Sequence, residues 1–258
     1  MIANYHSHTW RCMHARGTER EYVEAAIRGG LRILGFSDHA PVPYKDGYVS
    51  NVKMTPDQLE DYVDTVMALK AEYRRDIEIL PGLEVEYYPA YFEAQLEMMK
   101  PYPITYFLLG QHFVGNEIGE PYSGHRTESS ELFTRYCRQS AEALATGHFT
   151  YFAHPDLINF TGDPELYKKE MRRLCMEAKR LDVPLEINLL GIETNRNYPN
   201  LLFWKTAGEV GNDVVIGSDA HSPEDVVNEG AIRAAKKIAE ENRLRVLDTV
   251  SLRNPFGF

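Results

Sequence analysis

His6-Ser7-His8 and Asp219-Ala220-His221 each hold two potential metal ligands two positions apart, one pair near the start of the chain and one near its end. In an extended segment residues i and i+2 face the same side, so each pair can aim two side chains at one point. Between them lie Asp38-His39, Glu84, His112 and His154, and His14 follows the first pair closely. Imidazole and carboxylate groups gathered in this way are ligands for divalent ions such as Zn, Mn or Fe, and the donor types alone do not choose among the three. Taken singly, each residue has an ordinary explanation: a turn at Asp38-His39, an exposed strand end at Glu84, a half-buried hydrogen-bonded imidazole at His112 or His154. Their joint placement at the ends of successive strand-like runs is what points to a shared metal site. The other two of the nine histidines, His125 and His148, fall in the Tyr122 to Thr127 loop and beside a helix end, and read as surface residues.

The elements that must position these groups alternate in type. Runs of strand length occur at Ile2 to Tyr5, Leu31 to Phe36, Ile77 to Val85, Tyr106 to Leu109, Thr150 to Ala153, Pro184 to Leu190 and Val214 to Gly217, giving seven expected strands. Thr18 with Glu21 forms a capping box ahead of a helix that should end at Gly29-Gly30, and Thr55-Pro56 with Gln58 starts another. Further helices are expected over Ser130 to Thr146, Pro164 to Leu181, Leu201 to Gly208 and Pro223 to Asn242. Such alternation builds a parallel sheet with crossover helices, and a barrel of this kind collects its functional residues at the C-terminal ends of its strands. The stretches Pro41 to Met54 and Val114 to Glu128, rich in Gly, Pro, Tyr and Asn, read as loops over that face.

Bulk properties narrow the class. The 258 residues are 43% hydrophobic and 26% charged with a net charge of -10, the profile of a globular domain and not of a disordered chain. A single barrel domain over 1–258 is expected, since such barrels commonly reach ~250 residues. The acidic balance and the lack of a basic block argue against a nucleic-acid partner. No membrane-length apolar run and no secretory leader pattern are visible, so a cytoplasmic enzyme without a membrane partner is the expectation. Cys12, Cys137 and Cys175 are widely spaced and suit neither a disulfide framework nor a thiolate zinc site. Cys12 and Arg16 are separated by only three residues, too few for the phosphate-cradling loop of a cysteine phosphatase.

The order of motifs then carries a resemblance. His6-Ser7-His8, Cys12-Met13-His14-Ala15-Arg16-Gly17-Thr18, Gly35-Phe36-Ser37-Asp38-His39-Ala40-Pro41 and Gly82-Leu83-Glu84-Val85-Glu86 are followed by Gly110-Gln111-His112-Phe113 and Ala153-His154-Pro155-Asp156. Leu185-Glu186-Ile187-Asn188-Leu189-Leu190-Gly191 and Gly217-Ser218-Asp219-Ala220-His221-Ser222 complete the set. Together they resemble the PHP (polymerase and histidinol phosphatase) family, most closely its histidinol-phosphatase branch. The resemblance implies a distorted (β/α)7 TIM-like barrel and three divalent metal ions. It implies a first ion on His6, His8, Glu84 and Asp219, a second on Glu84, His112 and His154, and a third on His14, His39 and His221. Glu84 would bridge two ions and hold a bridging hydroxide, the nucleophile for an in-line attack on a phosphate monoester. Only Glu84 and Asp219 among these ligands carry negative charge, so three ions leave a positive pocket that favours an anion.

Other assignments stand beside this resemblance. Asp38 would orient a ligand or water, or donate a proton to the leaving group; metal-bound histidines usually hand their second nitrogen to a partner, which favours orientation. Arg196, just past the Leu185–Gly191 segment, is the candidate for substrate phosphate, with Arg16 a second. Asn159 stands where related histidinol phosphatases often carry a basic residue, which bears on substrate identity. The expected reaction is hydrolysis of L-histidinol phosphate in histidine biosynthesis, with the same chemistry on a sugar or nucleotide phosphate as the near alternative. A tyrosine phosphatase of the family and a non-catalytic, metal-stabilised module are more distant. An amidohydrolase barrel commonly needs a carbamylated lysine at a strand end, and here the fourth strand ends in Gln111-His112.

Overall fold

The computed structural model describes residues 1–45 and 47–257. Eight parallel strands stand in sequence order in one sheet: β1 (Ala3–Asn4), β2 (Ile33–Phe36), β3 (Glu78–Val85), β4 (Tyr106–Leu109), β5 (Phe149–Phe152), β6 (Leu185–Asn188), β7 (Asp213–Gly217) and β8 (Arg245–Val246). The crossovers carry α1 (Glu19–Arg28), α2 (Leu59–Glu72), α3 (Phe92–Met99), α4 (Ser130–Ala145), α5 (Pro164–Arg180), α6 (Leu189–Glu193), α7 (Leu201–Val210) and α8 (Glu229–Glu241). The sheet curls as a TIM-like α/β barrel, as the resemblance implies, with one strand more than expected. β8 pairs Arg245 and Val246 with Asp213 and Val214 at the start of β7; two residues, one of them exposed, leave no apolar run to read.

At the opposite end of the strands the seam runs between β1 and β7. Ser7 bridges Ala220, with His8 N–H donating to Ala220 O at 2.9 Å and Ala220 N–H to His6 O at 3.2 Å. Asn4 locks that seam: its amide nitrogen donates to Ser218 Oγ at 2.6 Å and its Oδ1 accepts from Ser218 N at 3.0 Å. Sequence neighbours of the two His/Asp pairs therefore hold the first and seventh strands together, and both pairs arrive on one rim.

Two apolar layers flank the sheet. Inside the barrel Tyr5, Leu80, Tyr106, Leu108, Tyr151 and Val215 form a small buried cluster. Outside, the apolar stripes of the helices cover the strands; Tyr22, Val23 and Ala26 of α1 and Leu59, Tyr62, Val63 and Val66 of α2 recur at helical spacing and are buried. The Thr18–Glu21 capping box is present, satisfying two of the free N–H groups at the start of α1.

The strand and helix ends shift by one or two residues in several places, and three differences are larger. The expected strand 184–190 stops at Asn188, whose side chain accepts from Gly191 N–H and starts the short α6. The helix expected from Pro223 is a single turn over Pro223–Val226, and α8 begins only after Asn228, which caps it. α3, not anticipated, spans eight residues and buries Phe92, Gln95, Leu96 and Met99. The stretches 41–54 and 114–128 are irregular as expected, with Asp46 outside the described residues. Among the described residues no helix is long and apolar enough to cross a membrane.

Candidate metal centre

Each barrel strand but β6 and β8 delivers a ligand-type side chain to the same rim. His6 and His8 lie just past β1, His39 past β2 in a bridge to Glu84 of β3, His112 past β4, His154 past β5, and Asp219 and His221 past β7. His14 comes from the turn Trp10–Cys12, capped by Thr9 and closed by Met13 in the left-handed region at φ 67°. His154 (φ 31°) and Asp219 (φ 52°) also have positive φ, a strained conformation that L-residues keep only where surrounding contacts impose it.

The side chains converge. Nε2 of His8 is 2.9 Å and Nε2 of His6 3.4 Å from Oδ1 of Asp219, and both lie 3.5 Å from Oε2 of Glu84. On the other side of Glu84, Oε1 sits 2.7 Å from Nε2 of His154 and 3.7 Å from Nε2 of His112. Donor atoms of His14, His39 and His221 lie within 4.8 Å of one another. Of the sets proposed from sequence, His14, His39 and His221 come together as one group, and Glu84 stands between His6, His8 and Asp219 on one side and His154 on the other, with His112 farther off at 3.7 Å from its Oε1. His39 Nδ1 is also 3.0 Å from Glu84 Oε2, which joins the third set directly to the first.

Several of these atoms are buried without a hydrogen bond: Nε2 of His6, of His8 and of His221, and Oε2 of Glu84. Imidazole nitrogens and carboxylate oxygens packed this closely need positive charge among them, which ring protons supply in the metal-free chain and a bound cation can supply in their place. The donor set therefore fits divalent metal ions. Proton equilibria carry the same demand for positive charge. Burial disfavours the imidazolium of His6, yet Glu186, Asp219 and Glu84 outweigh it and hold its pKa well above the ordinary value. Burial likewise opposes charge on His8, and Asp219 and Asp38 overcome it, raising the pKa to about 9. Burial and the charge of His8 push His39 well below its usual value and His221 down to about 3. Burial alone would raise Glu84 and Asp219, but the surrounding imidazoles keep both well below the carboxylate range.

Several imidazole nitrogens facing away from the centre have partners, while Nδ1 of His112 and Nδ1 of His154 make no hydrogen bond. Asp38 Oδ1 is 3.4 Å from Nδ1 of His8 and accepts His39 N–H at 2.8 Å, while Thr9 Oγ donates to Oδ2. Fully buried and with both oxygens engaged, Asp38 is placed to orient His8. His14 Nδ1 meets Cys12 O at 2.6 Å and His221 Nδ1 meets Asp219 O at 2.9 Å. Glu186 of β6, unassigned from sequence, is the strand's contribution: Oε1 lies 2.8 Å from Nδ1 of His6, and Oε2 accepts His154 N–H at 3.0 Å and Asn188 Nδ2 at 2.9 Å. Glu86, also missed, has Oε1 3.3 Å from Nδ1 of His112. The available signal was spacing, since Glu84/Glu86 and Glu186/Asn188 put polar groups two apart in otherwise apolar strands.

A cavity of about 760 Å³ opens beside the cluster. Arg196 lies on its wall with Tyr122, Asn197 and Tyr198, its Nη1 donating to Tyr198 Oη at 3.0 Å. Arg16 does not: it is exposed, 3.8 Å from Glu224, outside the lining, so its long side chain is committed to solvent and a surface carboxylate. His125, read as a surface residue, is exposed but lines the cavity edge-on to Tyr122 at 5.5 Å. His148 sits away from the site, its Nδ1 2.8 Å from Pro255 O. Asn159 is not in the lining; its amide donates to Gly124 O at 3.3 Å and its backbone pairs with Ser123 and Thr127.

The chain is similar to several known proteins. A histidinol-phosphatase of Bacillus subtilis is 34% identical over 147 residues, 54% of this chain and 50% of its own length. A probable histidinol-phosphatase of Deinococcus radiodurans is 28% identical over 236 residues, 87% of this chain and 88% of its own length. The fold is similar to the crystal structure of a histidinol phosphate phosphatase of Lactococcus lactis complexed with Zn, L-histidinol and phosphate: TM-score 0.76, 16% identity, covering 99% of this chain and 97% of that one. The PHP domain model matches residues 4–189, a span that holds His6, His8, His14, His39, Glu84, His112 and His154. The chain belongs to the PHP domain family.

Proposed function

We propose that the chain, acting as one barrel unit over 1–258, is a metal-dependent phosphomonoesterase that hydrolyses L-histidinol phosphate to L-histidinol and phosphate. The observation that carries this reading is the convergence of seven imidazoles and two carboxylates beside a cavity whose wall holds an arginine without a carboxylate partner among its hydrogen bonds. The names of the B. subtilis and D. radiodurans relatives support the substrate.

His6, His8, Glu84 and Asp219 would hold one ion, Glu84, His112 and His154 a second, and His14, His39 and His221 a third, whether Zn, Mn or Fe. Ions bound there lower the pKa of water towards ~7 and neutralise phosphoryl charge. The remaining work belongs to the chain. Arg196 contributes a guanidinium that suits two phosphate oxygens at once. Tyr122 and Tyr198 line the cavity, where their rings would limit the approach of bulk water. Asp38, Glu186 and Glu86 keep the imidazoles fixed, so little reorganisation is needed as the P–O bond breaks. A small-molecule ester is the partner, and the cytoplasm the site of reaction.

Asn159 favours a second reading, the same hydrolysis of another small phosphate monoester, because a neutral amide engaged with Gly124 O replaces a basic side chain. Phosphate release from L-histidinol phosphate, compared with sugar and nucleotide monophosphates on protein reconstituted with Zn, Mn or Fe, separates them. A kcat/KM in the ~10⁴–10⁸ M⁻¹s⁻¹ range for histidinol phosphate, well above the rest, supports the first. Preference for another ester supports the second, and bound metal without any turnover sinks both in favour of a non-catalytic module.

A further inference from the structure

The irregular stretches bordering the cavity are joined by a buried ion cluster. Lys53, from the first stretch, is 2% exposed, and its Nζ lies 2.6 Å from Oε1 of Glu86 and 2.9 Å from Oε2 of Glu117 in the second. Glu86 is equally buried and fully engaged. Oε1 also faces Nδ1 of His112 at 3.3 Å, while Oε2 accepts the Tyr88 hydroxyl and Phe113 N–H. Lys53 and Glu86 both line the cavity, next to His112 and Phe113. One ammonium thus faces two carboxylates, one of which lies 3.3 Å from Nδ1 of His112 and the other of which belongs to the stretch that carries Tyr122 and His125.

We propose that Lys53 is a positioning residue for His112, fixing the Glu86 carboxylate that orients the imidazole and docking the 114–128 stretch through Glu117. The inference rests on the reading of His112 as a metal ligand. Its physical basis is the cost of an uncompensated buried carboxylate: without the ammonium, Glu86 and Glu117 are driven to rotate towards water or towards any nearby cation. Either movement releases Nδ1 of His112 and loosens the wall beside it. Carboxylates that hold the second nitrogen of a metal-bound histidine are worth about 10–100-fold in metal affinity, so the loss is measurable without substrate. Lys53 reaches that histidine only through Glu86, which predicts that the two act as one unit.

The test is a double-mutant cycle on the metal-stripped full chain, with Mn²⁺ binding followed by calorimetry and amide exchange followed by mass spectrometry. K53M and E86Q should each weaken Mn²⁺ binding by about tenfold or more, and K53M/E86Q should be no weaker than the worse single variant. K53R should recover most of the loss, and K53M should raise exchange in both 41–54 and 114–128. Independent, multiplicative losses in the double variant, wild-type affinity in K53M, or a K53R no better than K53M would each overturn the proposal, as would a protein that takes up no metal at all. Should K53M fail to fold, the K53R/E86Q cycle and exchange in E117Q decide it: multiplicative losses, or a 114–128 stretch no less protected in E117Q, count against it. Because none of these readouts uses a phosphate ester, failure of every ester to turn over would remove the functional reading and leave this one standing.

Discussion

A Cβ placed on Gly110 would lie 2.0 Å from Oε1 of Glu84, the carboxylate shared by two of the proposed metal sets. Only hydrogen at that position lets β4 pass behind the carboxylate. Gly110→Ala should force Glu84 out of place, weakening metal uptake tenfold or more at an overpacking cost of about 1–3 kcal/mol in stability. Metal content by mass spectrometry together with thermal unfolding checks this; a variant with normal metal content would remove Glu84 from the centre. A Cβ placed on Gly217 would likewise lie 1.8 Å from Oε1 of Glu186.

His8→Ala and Glu84→Gln should each lower metal stoichiometry and phosphatase activity together. Full activity in either variant would sink the ligand assignment.

Glu186→Gln preserves shape but puts an amide where His6 Nδ1 finds a carboxylate at 2.8 Å. Metal affinity should fall by about 10–100-fold, with the fold intact. Titration of metal-stripped protein, with circular dichroism as a control for folding, measures it. Unaltered affinity would reduce Glu186 to a packing role.

Arg196→Ala should raise KM for the phosphate ester by about tenfold or more and leave metal content unchanged, because the side chain touches Tyr198 and Thr194 and no ligand of the centre. Steady-state kinetics alongside metal analysis tests the split. A fall in bound metal would place Arg196 in the architecture of the site instead.

Between about pH 6.5 and 9, metal-free protein should become less stable as pH rises. The pKa of His8 is raised to about 9, so the stabilisation its charged form supplies is complete below the unfolded value of ~6.5 and is lost as pH climbs through 9. Metal replaces that proton, hence binding should release protons and tighten across the same interval. Calorimetry in buffers of different ionisation enthalpy reports the protons released; a pH-independent affinity between 6.5 and 9 would contradict the charge balance drawn for the cluster.

The legible part of the site was the part written as short spacings. His6/His8 and Asp219/His221 announce themselves two apart, and strand ends gather them whatever the helices do in detail. β4 was read at its true limits because Tyr106 to Leu109 is an apolar run with a proline before it and glycine after. The end of β6 was not, because Asn188 caps a helix inside a run that stays apolar through Leu189 and Leu190. Lys53, Glu86 and Glu117 escaped for a different reason: their pairing spans two irregular stretches, and no local period records it. Arg16 shows the converse: its backbone N–H donates to His221 O at 2.8 Å beside the cluster, yet its side chain is exposed and outside the cavity lining, which sequence adjacency to His14 does not reveal.

The Asn4–Ser218 seam joins positions 214 residues apart. During synthesis, therefore, seven of the nine proposed ligands emerge while Asp219 and His221 are still to be made. A growing chain has imidazoles able to capture stray ions in the wrong grouping, but it lacks the carboxylate that would complete the first set. Correct metallation is in this sense a late event in the life of the polypeptide, gated by the return of the last barrel strands to the first.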